Sequence, residues 1–438
     1  MKPLQVGLLG IGTVGLGTWT VLRRNAEEIA RRAGRPIRIT WIAERALDRA
    51  REVTRGASDV SLTDDAEKVL THRDIDIVVE LIGGIEPART FILQAIDNGK
   101  HVVTANKALL ARHGNEIFAA AHRKGVMVAF EGAVAGGVPI IKALREGLTA
   151  NRIEWIAGII NGTSNFILSE MRAKGASFAT VLKEAQARGY AEADPTYDIE
   201  GIDAAHKLTI MSAIAFGVPM QFNKVYTEGI SKLTGEDISY AEEMGYRIKL
   251  LGITRRTATG IELRVHPTLI PAKRLIANVE GVMNAVLVKG DAVGATMYYG
   301  AGAGAEPTAS AVIADLVDVT RMHTADPEHR VPHLAFQPDQ LSDLAFLPMG
   351  EVETSYYLRM RVEDKPGVLA DITRILADRE ISIDAMIQKE PSEGEEQTDI
   401  ILLTHKCIEK QVVAAIAGIE ALATVRGKVV RIRLEELN

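Results

Sequence analysis

Five short apolar runs mark the N-terminal part of the chain: LQVGLLG (4–10), IRITWIA (37–43), DIVVELIG (76–83), HVVTANK (101–107) and VMVAFEG (126–132), with helical patterns between most of them. A strand with no polar alternation must be covered on both faces, which a parallel sheet flanked by helices achieves. The block is therefore expected to be an α/β, doubly wound parallel sheet that ends at the glycines and proline of EGAVAGGVP (131–139).

The first run enters a helix, expected over about 14–32, through Gly10-Ile11-Gly12-Thr13-Val14-Gly15. Gly10 permits the tight turn, Gly12 lets backbone approach a pyrophosphate, and Gly15 lets the helix pack on the strand. The phosphates then sit at the helix N-terminus, on Thr13 and Val14. Inside a run of strand–helix units this reads as a Rossmann-type dinucleotide site, the alternative being a glycine-rich turn with no ligand. The second run ends in AERALDR (43–49), which offers Glu44 to a ribose hydroxyl or Arg45 to a 2′-phosphate. The two point opposite ways; the reading leans to NADP and leaves NAD open.

A chain of 438 residues suits two or three domains, and 47% hydrophobic with 25% charged residues is an ordinary globular balance. A net charge of −6 leaves no basic footprint for nucleic acid. The lone Cys407 excludes an internal disulfide framework and a cysteine-built zinc cage, and suits a reducing compartment. MKPLQVGLLGIG breaks at its glycines with no cleavage site after it, and no run approaches the ~20 residues that span a bilayer. A cytoplasmic protein without membrane or nucleic-acid partners is expected.

Residues from about 140 to 345 mix helices with β-rich stretches such as RIEWIAGII and IELRVHPTLI, an α+β pattern, and 325–348 reads as an irregular connection. Past Glu351 the order is SYYLRMRV, the turn EDKPG, a helix, ISIDAMIQ, TDIILLTHK, a helix and VVRIRLEE. That is a ferredoxin-like βαββαβ unit, with PSEGEEQ (391–397) as a hairpin loop.

Four further motifs carry chemistry. In VVTANKALL (102–110), Asn106 and Lys107 fall at the carboxyl edge of the sheet, where ligands bind; a capping Asn and a surface Lys explain them equally well. In IINGTSNFILSEM (159–171), residues Asn161, Thr163 and Ser164 suit a helix cap, whose free N–H groups also suit a substrate carboxylate. The run YYGAGAGA (298–305) opens a helix and permits either close backbone approach to a ligand or plain flexibility. Lastly, DPTYDIEGIDAAHKLTIMSA (194–213) becomes helical after Asp194-Pro195, with Asp203, Lys207, Met211 and Ile214 on one seam. Asp–Lys at i,i+4 is an ordinary pair on an exposed helix. On a core-facing seam, beside a nucleotide domain, a lysine is instead suited to give a proton to an alkoxide formed by hydride transfer, with Asp203 orienting it. Glu192 or Asp198 then suits a substrate ammonium.

On these residues the chain resembles the homoserine dehydrogenases. The resemblance runs through the glycine motif, TANKALL, EGAVAGGVPI, NGTSN, GYAEADPTYDIEGIDAAHK (189–207), YGAGAGAEPTA and the DKPGVL of a C-terminal ACT-type domain. The 189–207 signature is specific, whereas many families share the glycine motif. The resemblance implies reversible NAD(P)-dependent interconversion of L-aspartate 4-semialdehyde and L-homoserine, on the route to threonine, methionine and isoleucine. With no aspartokinase half ahead of the nucleotide domain, the monofunctional form is expected. It also implies Lys207 as acid/base with Asp203 beside it, Glu192 and Asp198 as substrate acids, and Lys107, Gly189, Gly302 and Gly304 on the cofactor side. A monovalent cation, Na+, is implied at the Glu131 side chain and the carbonyls of Val134, Gly136 and Val138, in a loop that by itself reads as a hinge.

The implied organisation is a nucleotide domain over 1–133, to which a helix near 306–322 returns, a central catalytic and dimerisation domain over 134–345, and an ACT domain over 354–438. A homodimer or homotetramer follows from the same resemblance, as does L-threonine as the ACT effector. A chain ending near Gly350 is then expected to keep activity and lose threonine inhibition. The competing readings are another NAD(P)-dependent amino-acid dehydrogenase of this architecture and a non-catalytic amino-acid sensor.

Overall fold

The structure, a computed structural model, describes residues 2–389 and 395–438. Residues 391–394 of the expected PSEGEEQ hairpin loop lie outside the described residues. The chain forms two compact units, one of Met1–Gly162, Ile202–Val225 and Val282–Leu344, the other of Thr163–Gly201, Tyr226–Gly281 and Ala345–Asn438.

The first unit contains a six-stranded parallel sheet of β1 (Leu4–Leu9), β2 (Ile37–Ala43), β3 (Ser61–Thr63), β4 (Ile77–Glu80), β5 (His101–Thr104) and β6 (Val128–Ala129), in the order β3-β2-β1-β4-β5-β6. The three-residue β3 has no apolar run to announce it; it exists because β2 offers it an edge. The first helix also differs from expectation, breaking at Asn25 into Thr13–Arg24 and Ala26–Ala33.

Helix Ala305–Met322 belongs to this core: Ala309, Val312, Ile313 and Leu316 pack in one cluster with Leu4, Val6, Leu8 and Trp19. A side chain on Gly17 would collide with the Ala305 carbonyl, so glycine sets how closely the two helices approach. The unit also contains an antiparallel ladder of Ile153–Ile159, Met283–Gly290 and Gly294–Ala301, and the helix Ile202–Phe216. That helix is buried at every position from Asp203 to Phe216, not along a single seam. The 325–344 part of the irregular connection is pinned down: His333 stacks on Phe118, and Ser342 N–H donates to the Gly217 carbonyl.

In the second unit, Tyr246–Arg256 and Ile261–Pro271 form an antiparallel pair. The C-terminal βαββαβ follows, its strands in the order Val425–Leu434, Glu353–Glu363, Gln397–Thr404, Ile383–Gln388. Its last strand continues the same sheet, pairing Thr268 with Arg433 beside Ile261–Pro271. Fully buried Arg264 is held by Glu262 and by Glu435, and Arg433 reaches Glu228 at 2.8 Å. Ending the chain near Gly350 would therefore strip a sheet edge, take Glu435 from the buried Arg264 and take Arg433 from Glu228, at a cost of several kcal/mol. Truncation is not the clean excision the sequence suggests.

Candidate active site

The glycine motif has the geometry its spacing predicts. Gly10 is left-handed (φ +90°), a side chain on Gly15 would strike the Gly10 carbonyl, and the Cα of Gly12, which caps helix Thr13–Arg24, faces open space. This loop borders a cleft of about 430 Å³ that also reaches Glu44, Arg45, Leu81 and Ile82. Open backbone at a helix N-terminus fits a pyrophosphate. The Glu44 carboxylate accepts the N–H of Ile11 at 2.9 Å and of Ala46 at 3.1 Å, so it is tied to the turn, while Arg45 is exposed on the cleft.

At the end of β5, Asn106 caps helix Lys107–Lys124, its side-chain oxygen accepting the Leu109 N–H at 3.1 Å. The helix start presents Lys107 to Asp203, 3.3 Å from Oδ1. Lys207, one turn on from Asp203, donates to Oδ2 at 2.7 Å and to the Ile160 carbonyl at 2.7 Å, and the Asn161 amide donates to Oδ2 at 2.9 Å. Burial by itself would push the Asp203 carboxyl up; the charges of Lys207 and Lys107 and the hydrogen bonds override it and hold the group well below the usual carboxylate range. One buried anion is thus shared by two ammonium groups. The helix bearing this pair starts only at Ile202, because Gly201 (φ +80°) separates it from the short turn Thr196–Ile199.

Thr163, Gly189, Glu192 and Asp198 are carried by the other unit. There the Thr163 hydroxyl donates to the Tyr190 carbonyl at 2.6 Å, Ser164 donates to the Asp198 carbonyl at 2.9 Å, and Gly189 (φ +73°) ends the turn after helix Phe178–Ala187. Glu192 is exposed and Asp198 half-buried.

The 131–136 stretch is buried throughout, which corrects its reading as a hinge. Both Glu131 oxygens are used, accepting the N–H groups of Ile141 at 3.0 Å and Lys142 at 2.8 Å, and Asp315 accepts the Glu131 N–H at 2.7 Å. Burial pushes Asp315 up to about 7. Ala135 (φ +53°) and Gly136 (φ +42°) turn the backbone sharply, and the Val138 carbonyl accepts from Ile140 at 2.8 Å. Among the described residues no backbone N–H reaches the carbonyls of Val134 or Gly136. Carbonyl oxygens with lone pairs to spare beside a carboxylate fit a hard monovalent cation. Gly302 lies against this loop, since a side chain on Gly136 would meet its carbonyl, and Gly304 (φ +128°) caps helix Ala305–Met322.

A sequence model of the homoserine dehydrogenase family matches residues 139–317, that of the homoserine dehydrogenase NAD-binding domain matches 10–131, and that of the ACT domain matches 356–423. The homoserine dehydrogenase of Pseudomonas aeruginosa is 64% identical over 438 residues, covering 100% of both chains, and that of Neisseria gonorrhoeae is 60% identical over the same span. The chain belongs to the homoserine dehydrogenase family. The crystal structure of a homoserine dehydrogenase from Thiobacillus denitrificans superposes with a TM-score of 0.96 at 74% identity, covering 100% of this chain and 99% of that one. The Staphylococcus aureus homoserine dehydrogenase at pH 7.5 superposes at 0.75 with 33% identity, covering 99% of each. As homoserine dehydrogenases are, it is an oxidoreductase acting on CH–OH with an NAD(P)-binding domain.

Two site features escape a sequence reading of this dehydrogenase. Asn161 reads as a cap, yet its amide also holds Asp203. Glu80 lies in the apolar run DIVVELIG and is fully buried at the end of β4. A charged residue closing a buried strand was its only signal.

Proposed function

We propose that this homoserine dehydrogenase reduces L-aspartate 4-semialdehyde to L-homoserine, reversibly, with NADP preferred over NAD, in the synthesis of threonine, methionine and isoleucine. The observation that carries the reading is the Asp203 carboxylate shared by Lys207 and Lys107, in the unit that also carries the cleft at the glycine motif. The nicotinamide, when bound, supplies the hydride to the carbonyl carbon. The Lys207 ammonium gives its proton to the resulting alkoxide oxygen and recovers one in the reverse direction. Asp203 and the Ile160 carbonyl fix the direction of the Lys207 Nζ, and Lys107 faces the cofactor. Glu192 and Asp198 take the substrate ammonium, and Thr163 helps hold the substrate. Arg45 pairs with the 2′-phosphate, a role for which the engagement of Glu44 with Ile11 leaves it the better candidate.

Within this reading Na+ binds at Glu131, Val134, Gly136 and Val138. Gly10, Gly12, Thr13, Val14, Gly15, Gly189, Gly302 and Gly304 line the cofactor. The working division is a nucleotide domain over 1–133 with a returning helix, a catalytic and dimerisation domain over 134–345 and a regulatory ACT domain over 354–438 answering to L-threonine. The enzyme acts as a homodimer or homotetramer in the cytoplasm; among the described residues no helix is long and apolar enough to cross a membrane. The test is absorbance of reduced cofactor forming with L-homoserine as sole substrate, run with NADP and with NAD. No reduction of either nucleotide sinks the assignment; faster turnover with NAD at equal concentrations sinks the NADP preference.

A further inference from the structure

A second cavity, of about 190 Å³, lies in the first unit and shares no lining residue with the cleft at the glycine motif. Four pieces of chain meet at it: Met127–Ala129 at β6, the turn carrying Arg145, the C-terminal half of helix Ala305–Met322, and the connection at Arg330–His333. Its volume gives room for roughly six water-sized groups.

Two guanidinium groups line this cavity with donors to spare. The Arg145 side chain is only 10% exposed; its Nη2 donates to Glu146 at 3.0 Å, and its Nε is buried with no acceptor among the described residues. Arg330 is fixed by the carbonyls of Gly125 and Ala325, each at 2.8 Å, and its Nε is likewise buried without an acceptor. Among the described residues no carboxylate forms an ion pair with Arg330. The acids at the cavity are engaged elsewhere: Asp318 pairs with Lys142 and, at 3.2 Å, with Arg321, while Asp315 accepts the Glu131 N–H at 2.7 Å. Glu146 has Arg145 itself. His333 adds a further donor: its Nε2 accepts the Val128 N–H, so in the neutral ring the proton is on Nδ1.

The remaining wall is apolar. Met127, Val319 and Met322 supply it, and Val331, 46% exposed, stands at the rim. A bare oxyanion such as phosphate would satisfy the guanidinium groups but leave that wall against a charge. A carboxylate with a hydrocarbon tail satisfies both parts, since the planar guanidinium fork matches a carboxylate and an apolar pocket takes the tail.

We propose that this cavity binds a small monocarboxylate with a short apolar tail, the carboxylate facing Arg145 and Arg330 and the tail lying against Met127, Val319 and Met322. Its floor is shared with the Glu131 loop through Asp315, so an occupant would touch the group that holds that loop from the side away from Glu131.

The probe is butyrate, titrated by calorimetry into the full chain, with butylammonium and inorganic phosphate as comparison ions. Butyrate should bind saturably, one per chain, and both comparison ions at least tenfold more weakly. Arg145→Gln should weaken butyrate roughly tenfold or more, the scale of one charge-assisted hydrogen bond. Val331→Trp removes no charge and fills the rim, so it should abolish binding even where Arg145→Gln does not fold. Three results overturn the inference: no saturable binding of butyrate, binding of phosphate or butylammonium as tight as that of butyrate, or butyrate affinity that survives substitution at Arg145 or Val331 in a folded protein.

Discussion

Lys207 Nζ sits 2.7 Å from Asp203 Oδ2, one helical turn apart, and both side chains are buried. An exposed pair of this spacing contributes a few tenths of a kcal/mol. Buried, the pair costs more in desolvation than it needs for holding a helix together, and it persists with Lys107 as a third member. The arrangement fixes an ammonium in place while leaving the carboxylate a second counter-charge.

Replacing Lys207 by Ala should therefore leave Asp203 paired with Lys107 and the chain folded. Turnover should fall by roughly 10²–10⁴-fold, the span for loss of a general acid/base. Binding of NADP should barely change, since Lys207 is assigned to the substrate side. Steady-state kinetics on protein with a native circular-dichroism spectrum checks this, and near-wild-type turnover sinks the assignment.

Arg45→Ala should weaken NADP more than NAD, because only NADP offers a 2′-phosphate for the guanidinium to pair with. A loss of about 1.5–3 kcal/mol, or roughly 10–100-fold, is the scale of one charge-assisted contact. Equal losses for both nucleotides, measured by titration, would place Arg45 outside the ribose site.

Two histidines set how the fold responds to acid. His101 Nδ1 accepts the Met127 N–H at 2.9 Å and His333 Nε2 accepts the Val128 N–H at 3.0 Å, so both rings are neutral at these atoms and both pin β6. Burial, helped by Arg330 near His101 and by Arg145 near His333, lowers each to about 3. The unfolded chain therefore binds these protons first. The stability is complete above about pH 6.5 and is lost as pH falls from there toward the folded-state values. His333→Gln keeps an acceptor and removes one titration, so its unfolding temperature should fall less than that of wild type between about pH 7 and 5. Parallel curves would remove His333 as a source of acid sensitivity.

The ACT prediction changes form because the last strand is built into the sheet of the second unit. Gly367 (φ +95°) caps helix Val368–Ala377 with open space where a side chain would go. Gly367→Asp should desensitise the enzyme to threonine by setting a carboxylate where the effector carboxylate would bind. Gly367→Ala imposes the same backbone strain without the charge. Inhibition curves for wild type and the two variants decide it. No inhibition of the wild type, or equal loss in Ala and Asp, rules out a carboxylate site at this turn.

Much of the architecture was local and so readable in order along the chain. Apolar runs of strand length, Gly10 and Gly15 at positions where a side chain would clash or strain the turn, and the alternation in SYYLRMRV each follow from steric rules acting over a few residues. The buried character of Lys207 was legible in the same way, from its seam. Contacts between distant segments obeyed no such rule. Nothing near Glu44 in sequence says that its carboxylate turns to the Ile11 N–H, nor that Lys107 reaches Asp203. The burial of 131–136 depends on Glu131 capping a helix that begins at Ile140, and the last strand joins Ile261–Pro271 only because that strand has an open edge. Glu80 is the plainest case. The sequence shows an acid at the end of an apolar strand, but the three donors that meet its carboxyl, one of them on the neighbouring strand, are brought to it only by packing.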